Sequence, residues 1–337
     1  MIPEAFPKVL SVISAEQIAN IRLAAMFTVL VTGLLAGYLF SKRFSDSENL
    51  AKKIMTAVLI GFNSPIALFT IWQIKLSAQL IWLPIAGLCL MSTISFLSIK
   101  LFPLLKLEQK TRLTLTLAGG LSNLGYTGGA FVCYVLFGTI GLAMANIYLL
   151  LWLPMAYLIF FPILKTYELR SAKPDKKPNF TFRYFLDLRL IGLLASIIAI
   201  ILNLANIKHP QLVFKLHIID LLIYSASFLC FFAIGLRVRP AHFKNYINLY
   251  FILSTVKFII APIIAFLILG LLAATGIDLD ILVKKVIIVM AVAPTAVLMV
   301  TMSNVFGLDS KLASALWLVN TFTFLIIVMP ILILLLN

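Results

Sequence analysis

Two interruptions in otherwise apolar segments contain the residues best able to bind a small solute. The first runs from Gly119 to Gly129 and carries Ser122, Asn123 and Thr127 among five glycines. Each glycine in a helix costs about 1 kcal/mol relative to alanine. The second is Ala293-Pro294-Thr295, where the proline removes a backbone N–H group and clashes with the preceding turn. Both patterns predict a broken helix.

A helix that restarts after such a break exposes N–H groups at the positive end of its dipole, and such ends bind anions. The predicted binding residues are therefore Ser122, Asn123, Gly125, Thr127 and Gly128 at the first break, and Pro294 and Thr295 at the second. The chemistry they favour is recognition of a small organic anion. The alternative interpretation is that the glycines allow tight helix packing and the proline makes a plain kink.

Lys257 lies in the middle of a long apolar segment, where an unpaired charge is costly. We expect it to be a substrate-binding residue that makes the site electropositive; the alternative is that its side chain snorkels to the membrane surface. Of the twelve acidic residues, only Asp220 falls within an apolar segment, near its outer end. A proton relay built on buried carboxylates therefore has no obvious parts.

The sequence shows no grouping of residues that would form an enzyme active site or a metal site. The three cysteines lie singly in apolar segments, and the three histidines lie in or beside loops, without metal-ligand spacing: Cys89, Cys133, Cys230, His209, His217 and His242. No nucleophile is placed with a base. We expect no enzymatic activity, no cofactor and no metal.

Composition indicates a membrane protein. Hydrophobic residues make up 62% of the 337 residues and charged residues only 12%, against about a quarter charged in soluble domains. Apolar runs near the roughly 20 residues needed to cross the hydrocarbon occur in ten places. These predicted spans are 22–40, 53–73, 79–103, 112–137, 141–164, 189–206, 216–237, 247–271, 285–306 and 312–336.

The basic residues predict the orientation in the membrane. Most of the 27 Lys and Arg residues fall in alternate connections, at 42–53, 100–112, 165–189 and 237–244 and at Lys311. Cytoplasmic connections carry this excess, so both termini are predicted to lie outside a plasma or inner membrane. Nucleic-acid binding is excluded, because it requires basic residues gathered on one soluble face.

The two halves resemble each other. Phe137-Gly138 is followed by Gly141-Leu-Ala-Met-Ala145, and Phe306-Gly307 by Lys311-Leu-Ala-Ser-Ala315. Five spans per half would make the second half inverted relative to the first, as in many secondary transporters. The predicted organisation is an N-terminal half over 1–164, a cytoplasmic linker over 165–188 and an inverted half over 189–337. The alternative to a repeat is that similar strings arise by chance, because both halves consist mostly of the same few apolar residue types.

Several dispersed motifs resemble the auxin efflux carrier family over nearly the whole chain. They are Asn123-Leu-Gly125-Tyr126-Thr-Gly128, Phe232-Ala-Ile-Gly235-Leu236 followed by Pro240, Val256-Lys257 with Ala261-Pro262, Ala293-Pro294-Thr295-Ala296-Val297, and Leu312-Ala-Ser-Ala315. The resemblance implies ten transmembrane helices as a five-plus-five inverted repeat with broken, crossing fourth and ninth helices, a fold related to bile acid sodium symporters. It also implies elevator-type transport of carboxylates such as auxin or malonate.

The resemblance adds Asn63, Ser64 and Tyr148 as candidate binding residues, and a homodimer formed through the scaffold. Two departures concern the breaks: Ala130 replaces a proline common in the family, and Leu298 replaces a polar residue. The expected function is a secondary transporter for a small organic anion in the lipid bilayer. The alternative is a sodium-coupled symporter, with Ser303, Asn304 and unwound carbonyl groups as the ion ligands.

Overall fold

The described part of the chain is predominantly helical. The computed structural model describes residues 15–44, 46–172, 190–237 and 246–336, and it has no β-strand within them. Its helices are α1 Ala15–Ser41, α2 Ser47–Gln73, α3 Ala78–Leu104, α4 Gln109–Gly120, α5 129–137, α6 139–172, α7 Ile191–Leu204, α8 Gln211–Lys215, α9 Ile218–Gly235, α10 Ile247–Ala274, α11 Ile281–Ala291, α12 Val297–Val305 and α13 Ser310–Leu336. The predicted all-α class is confirmed.

Seven helical segments in the described residues are long and apolar enough to cross a membrane. They are Ile21–Ser41, Ser47–Gln73, Ala78–Leu104, Gly129–Glu168, Ile218–Gly235, Ile247–Ala274 and Ser310–Leu336. Ile191–Leu204 is also apolar but has only 14 residues. A multi-pass membrane protein is therefore confirmed, while the ten crossings and the inverted repeat remain predictions.

The difference between seven and ten has a local cause. The predicted spans 112–137 and 285–306 are each divided into two short helices. The stretch Gly129–Glu168 has 40 residues, which as one straight helix would measure about 60 Å, twice the hydrocarbon thickness. Gly138, with φ +63°, breaks it into α5 and α6. The helix predicted to end near residue 164 continues to Ala172.

The helices pack as two groups. Helices α1, α2, α7 and α9 pack mainly on one another and form what we call the panel. Helices α3 to α6 and α10 to α13 form the second group, the crossover bundle. Contacts between the groups come mainly through Gly129–Tyr148, which packs on α1 and α2. Two groups joined through few elements can move relative to each other.

Close approaches hold the panel together. A Cβ atom at Gly37 of α1 would collide with the carbonyl oxygen of Phe232 in α9, and one at Gly235 would collide with that of Leu34. Small residues let membrane helices approach this closely. Helices α7 and α2 are joined by hydrogen bonds. Asn203 at the end of α7 donates to the carbonyl oxygens of Ile71, Trp72 and Ile74 at the end of α2. The panel is therefore fixed at more than one point.

Candidate functional site

The first break is a folded turn and not merely a gap. Helix α4 ends at Gly120, and the chain then runs unwound to Gly128 before α5 begins. The N–H groups of Gly129 and Ala130 donate to the carbonyl oxygens of Asn123 and Leu124 at 3.1 and 2.9 Å. A Cβ atom at position 128 would collide with the Asn123 carbonyl oxygen. Glycine is therefore required for the chain to turn back so closely.

The second break pairs with the first. Helix α11 ends at Ala291 and α12 begins at Val297. The N–H of Asn123 donates to the Pro294 carbonyl oxygen at 2.6 Å, and the N–H of Ala296 donates to the Leu121 carbonyl oxygen at 2.9 Å. Ser122 and Thr295 thus face each other as an antiparallel bridge. Unwound backbone inside a membrane protein needs such partners, and each break supplies them to the other.

Side chains complete this pairing at Thr295, which has no exposed surface. Its N–H donates to Asn320 Oδ1 at 2.7 Å, and its hydroxyl donates to the Ala118 carbonyl oxygen at 2.7 Å. Thr295 was predicted to hold the substrate. Its donors are instead used within the protein, so it positions the crossing of the two breaks.

The first turns of α5 and α12, the helices that begin after the two breaks, differ in how many backbone N–H groups lack a hydrogen-bond acceptor. At α5, the N–H groups of Gly129, Ala130 and Phe131 donate to the carbonyl oxygens of residues 123 to 125. At α12, the N–H groups of Val297 and Leu298 donate to no described residue, and no side chain caps the helix. Unpaired amides were expected at both breaks. The structure places them at α12, because the glycine-rich turn folds back over the start of α5.

A cavity of about 490 Å³ lies between the panel and the crossover bundle. Its panel side is lined by parts of α2, α7 and α9, and its other side by residues 122–127, α6 and the start of α12. Polar and charged side chains among these are Lys52, Thr56, Asn63, Ser122, Asn123, Thr127, Asn146, Ser196, Arg237 and Thr301. No acidic residue lines the cavity in the described part of the chain. The volume suits a small organic molecule.

The amide side chains in the cavity differ in how they are bonded. Asn123 Nδ2 donates to Thr127 Oγ1 at 2.8 Å, and Asn146 Nδ2 donates to Thr70 Oγ1 at 3.2 Å. Asn63 Oδ1 is buried without a hydrogen-bond partner in the described structure. It lies in a π-helical turn of α2, Leu59–Asn63, a distortion that often marks functional sites.

Positive charge lies at one end of the cavity. Lys52 is about half exposed and forms an ion pair with Glu48 at 3.8 Å. Arg237 follows α9, and its buried Nε has no partner among the described residues. Both residues belong to connections that carry the excess of basic residues. The cavity is therefore electropositive at this end.

The sequence-predicted residues divide into two sets. Asn63, Ser122, Asn123, Gly125 and Thr127 line the cavity. The others do not line it: Ser64, Gly128, Tyr148, Lys257, Pro294, Thr295, Ser303 and Asn304. Among these, Ser64 and Ser303 are buried, with hydroxyl groups that have no described partner. Asn304 is exposed near the end of α12.

Two of the residues outside the cavity have clear structural partners. Tyr148 is buried beside Gly87 of α3, in the space that a larger residue there would need. Lys257 is fully buried and donates to the Leu121 carbonyl oxygen and to Ser122 Oγ at 3.1 and 2.9 Å. It therefore binds the first break through Leu121 and Ser122 and does not line the cavity.

Sequence reasoning missed Asn146, Arg237, Lys52, Ser196 and Thr301. A signal existed for Asn146, since it is a lone amide inside a predicted span. For Lys52 and Arg237 the sequence offered only their place among many loop cations. Their position at the cavity depends on which helix ends meet.

A polar cluster joins the two groups at the end away from Lys52 and Arg237. Tyr134 of α5 donates a hydrogen bond to Asp220 Oδ1 of α9 at 2.5 Å, and His217 Nδ1 lies 2.9 Å from Asp220 Oδ2. The guanidinium of Arg22 in α1 lies over the Tyr134 ring, 5.8 Å from its centre. This cluster joins the panel to the crossover bundle at the ends predicted to face outward.

No protein-family model and no curated protein sequence matches this chain. The resemblance to auxin efflux carriers therefore stays a prediction that depends on the dispersed motifs.

Proposed function

We propose that this protein is a secondary transporter that moves a small organic anion, a carboxylate, across a cell membrane. The observation that carries the proposal is the cavity between the panel and the crossover bundle, which ends on two paired helix breaks. Transporters bind their solutes near such breaks, between parts that rock or slide against each other.

The charge and donors of the cavity favour an anion. The unpaired N–H groups of Val297 and Leu298 lie at the start of α12, where the helix dipole is positive. Asn123 lies on the same side of the cavity. A carboxylate bound there would meet amide donors and no opposing carboxylate, with Lys52 and Arg237 attracting it towards the cavity.

The described arrangement corresponds to one state of an alternating-access cycle in this proposal. The cavity end with Lys52 and Arg237 faces the cytoplasm, because basic connections are cytoplasmic. The cluster of Tyr134, Asp220, His217 and Arg22 closes the outer side. Movement of the crossover bundle along the panel would open that side. Ten crossings arranged as an inverted repeat, as in auxin efflux carriers, would fit this cycle.

A thermal-shift screen of small carboxylates on the purified protein tests the proposal. Mono- and dicarboxylates of increasing size should raise the unfolding temperature only while they fit the cavity. Replacing Asn123 with alanine should weaken binding of the stabilising ligand about tenfold or more, since it removes one hydrogen bond to a charged group. Asn304→Ala is the matched control, because Asn304 is exposed and lies outside the cavity. Binding unaffected by Asn123→Ala would place the ligand elsewhere.

A further inference from the structure

Lys257 is a buried lysine without a carboxylate partner in the described structure. Its relative exposure is 0%. It lies in a π-helical turn of α10, Val256–Ile260. Burying an ammonium group is costly unless oxygen atoms replace its water. Lys257 therefore needs oxygen atoms of the protein as hydrogen-bond acceptors.

Those oxygen atoms belong to the first break. The Lys257 ammonium donates to the Leu121 carbonyl oxygen at 3.1 Å and to Ser122 Oγ at 2.9 Å. Leu121 directly follows α4, so its carbonyl group lies at the negative end of that helix dipole. The same carbonyl oxygen accepts hydrogen bonds from the N–H of Ala296 and, at 3.3 Å, from the hydroxyl of Thr295. One cation thus binds where both breaks meet.

Carbonyl and hydroxyl oxygens at unwound helix ends are also the ligands that transporters offer to coupling cations. In this chain the ammonium of Lys257 already occupies that position. We propose that Lys257 is a built-in cation that replaces a coupling sodium ion at the crossing of the two breaks. The position is then unavailable to sodium, and transport proceeds without it; this last step depends on the proposed function.

The proposal also explains why Lys257 does not line the cavity. A cation that holds the crossing must stay with the breaks in every state of the cycle, as a fixed ligand does. It would favour anion binding through its charge and through the backbone it positions, and not by touching the substrate. Lys257 is in this sense a positioning residue.

Removing the side chain should leave an empty site for a small cation. We would measure the unfolding temperature of the wild type and of Lys257→Ala in sodium chloride, ethylammonium chloride and N-methylglucamine chloride at equal ionic strength. Lys257→Ala should unfold several degrees lower in N-methylglucamine and recover with a saturable dependence on sodium or ethylammonium. The wild type should unfold at the same temperature in all three salts. Lys284→Ala, which removes a lysine paired with Asp278 outside the site, should show no selective recovery.

Two results would overturn the proposal. One is a saturable rise of the wild-type unfolding temperature with sodium, because the site would then still be open. The other is a folded Lys257→Ala protein that no small cation stabilises selectively. If the variant does not fold in any salt, the wild-type comparison decides alone, and Lys257→Arg should restore folding because it keeps the charge.

A transport assay tests the sodium independence separately. Anion flux through the wild type should be equal in sodium and N-methylglucamine, and sodium-dependent flux would contradict the proposal. If no carboxylate is transported at all, the proposed function fails. The unfolding measurements still decide whether Lys257 replaces a cation, because they need no substrate.

Discussion

The phenol of Tyr134 donates a hydrogen bond of 2.5 Å to the carboxylate of Asp220. The donor belongs to the crossover bundle and the acceptor to the panel, and neither residue lines the cavity. The Asp220 side chain is partly buried, with an exposed fraction of 31%. This contact must break if the crossover bundle moves to open the outer side.

Tyr134→Phe should therefore favour the outward-open state. A hydrogen bond to a charged group contributes about 1.5 to 3 kcal/mol, so the population of that state should rise about tenfold or more. In a protein whose three native cysteines are replaced by serine, a cysteine introduced at Val297, which lines the cavity, should react correspondingly faster with an impermeant thiol reagent added outside sealed vesicles. Tyr250→Phe is the control, because the Tyr250 hydroxyl has no described partner. Equal rates in both variants would mean that Tyr134 does not hold the closed side.

Native cysteines report which side the cavity faces. Both Cys230 and Cys133 are buried, but Cys230 keeps an exposed fraction of 7% and lines the cavity, whereas Cys133 has 0% and does not. An impermeant maleimide added at the cytoplasmic face should label Cys230, and a bound carboxylate should slow the reaction. Cys133 in the same chain should stay unlabelled, as mass spectrometry of peptides would show. Labelling of Cys230 from the extracellular face alone would reverse the assigned orientation.

Arg237→Gln should weaken anion transport according to substrate charge. Loss of a cation near the cavity costs about 1 kcal/mol per substrate charge at an intermediate effective dielectric, which is about fivefold for a monocarboxylate and about 25-fold for a dicarboxylate. Flux assays with acids of similar size would measure this. Lys53→Gln serves as control, since Lys53 is exposed and does not line the cavity. An equal loss for both acids would exclude a charge effect.

Thr295→Val tests the crossing of the breaks. The change keeps the shape of the side chain but removes the hydrogen bond to the Ala118 carbonyl oxygen, so the free energy of unfolding should fall by about 1 kcal/mol. Thr321→Val is a matched control, because the buried Thr321 hydroxyl has no described partner. Calorimetric or fluorescence unfolding in detergent would compare them. A larger loss for Thr321→Val would contradict the assigned hydrogen bonds.

The sequence predicted the places of the breaks but not their partners. Local composition marks them, because the glycines near Asn123 and the proline at 294 act on their own helices. The hydrogen bond between Asn123 and Pro294 joins residues 171 positions apart, and no local pattern encodes it. For the same reason Lys257 was expected to face the substrate, although its ammonium binds Ser122 behind the cavity.

Helix ends were predicted well where polarity changes abruptly and poorly where one apolar stretch contains two helices. Gly138 separates α5 from α6 by a positive φ angle, which a hydropathy pattern cannot express. The role of Arg237 depends on how α9 meets α2 and α12. Such contacts between elements follow from tertiary packing.

The proposed function requires that an anion cross the membrane through this protein under the membrane potential. The most direct measurement is the distribution of a stabilising carboxylate across proteoliposomes with an imposed potential, in sodium-free buffer. An inside-negative potential should drive a monovalent anion outward until its concentration ratio reaches about 50-fold per 100 mV, since each charge gains about 2.3 kcal/mol. Empty liposomes should show no such redistribution. A carboxylate that binds the protein but never redistributes with voltage would contradict the account.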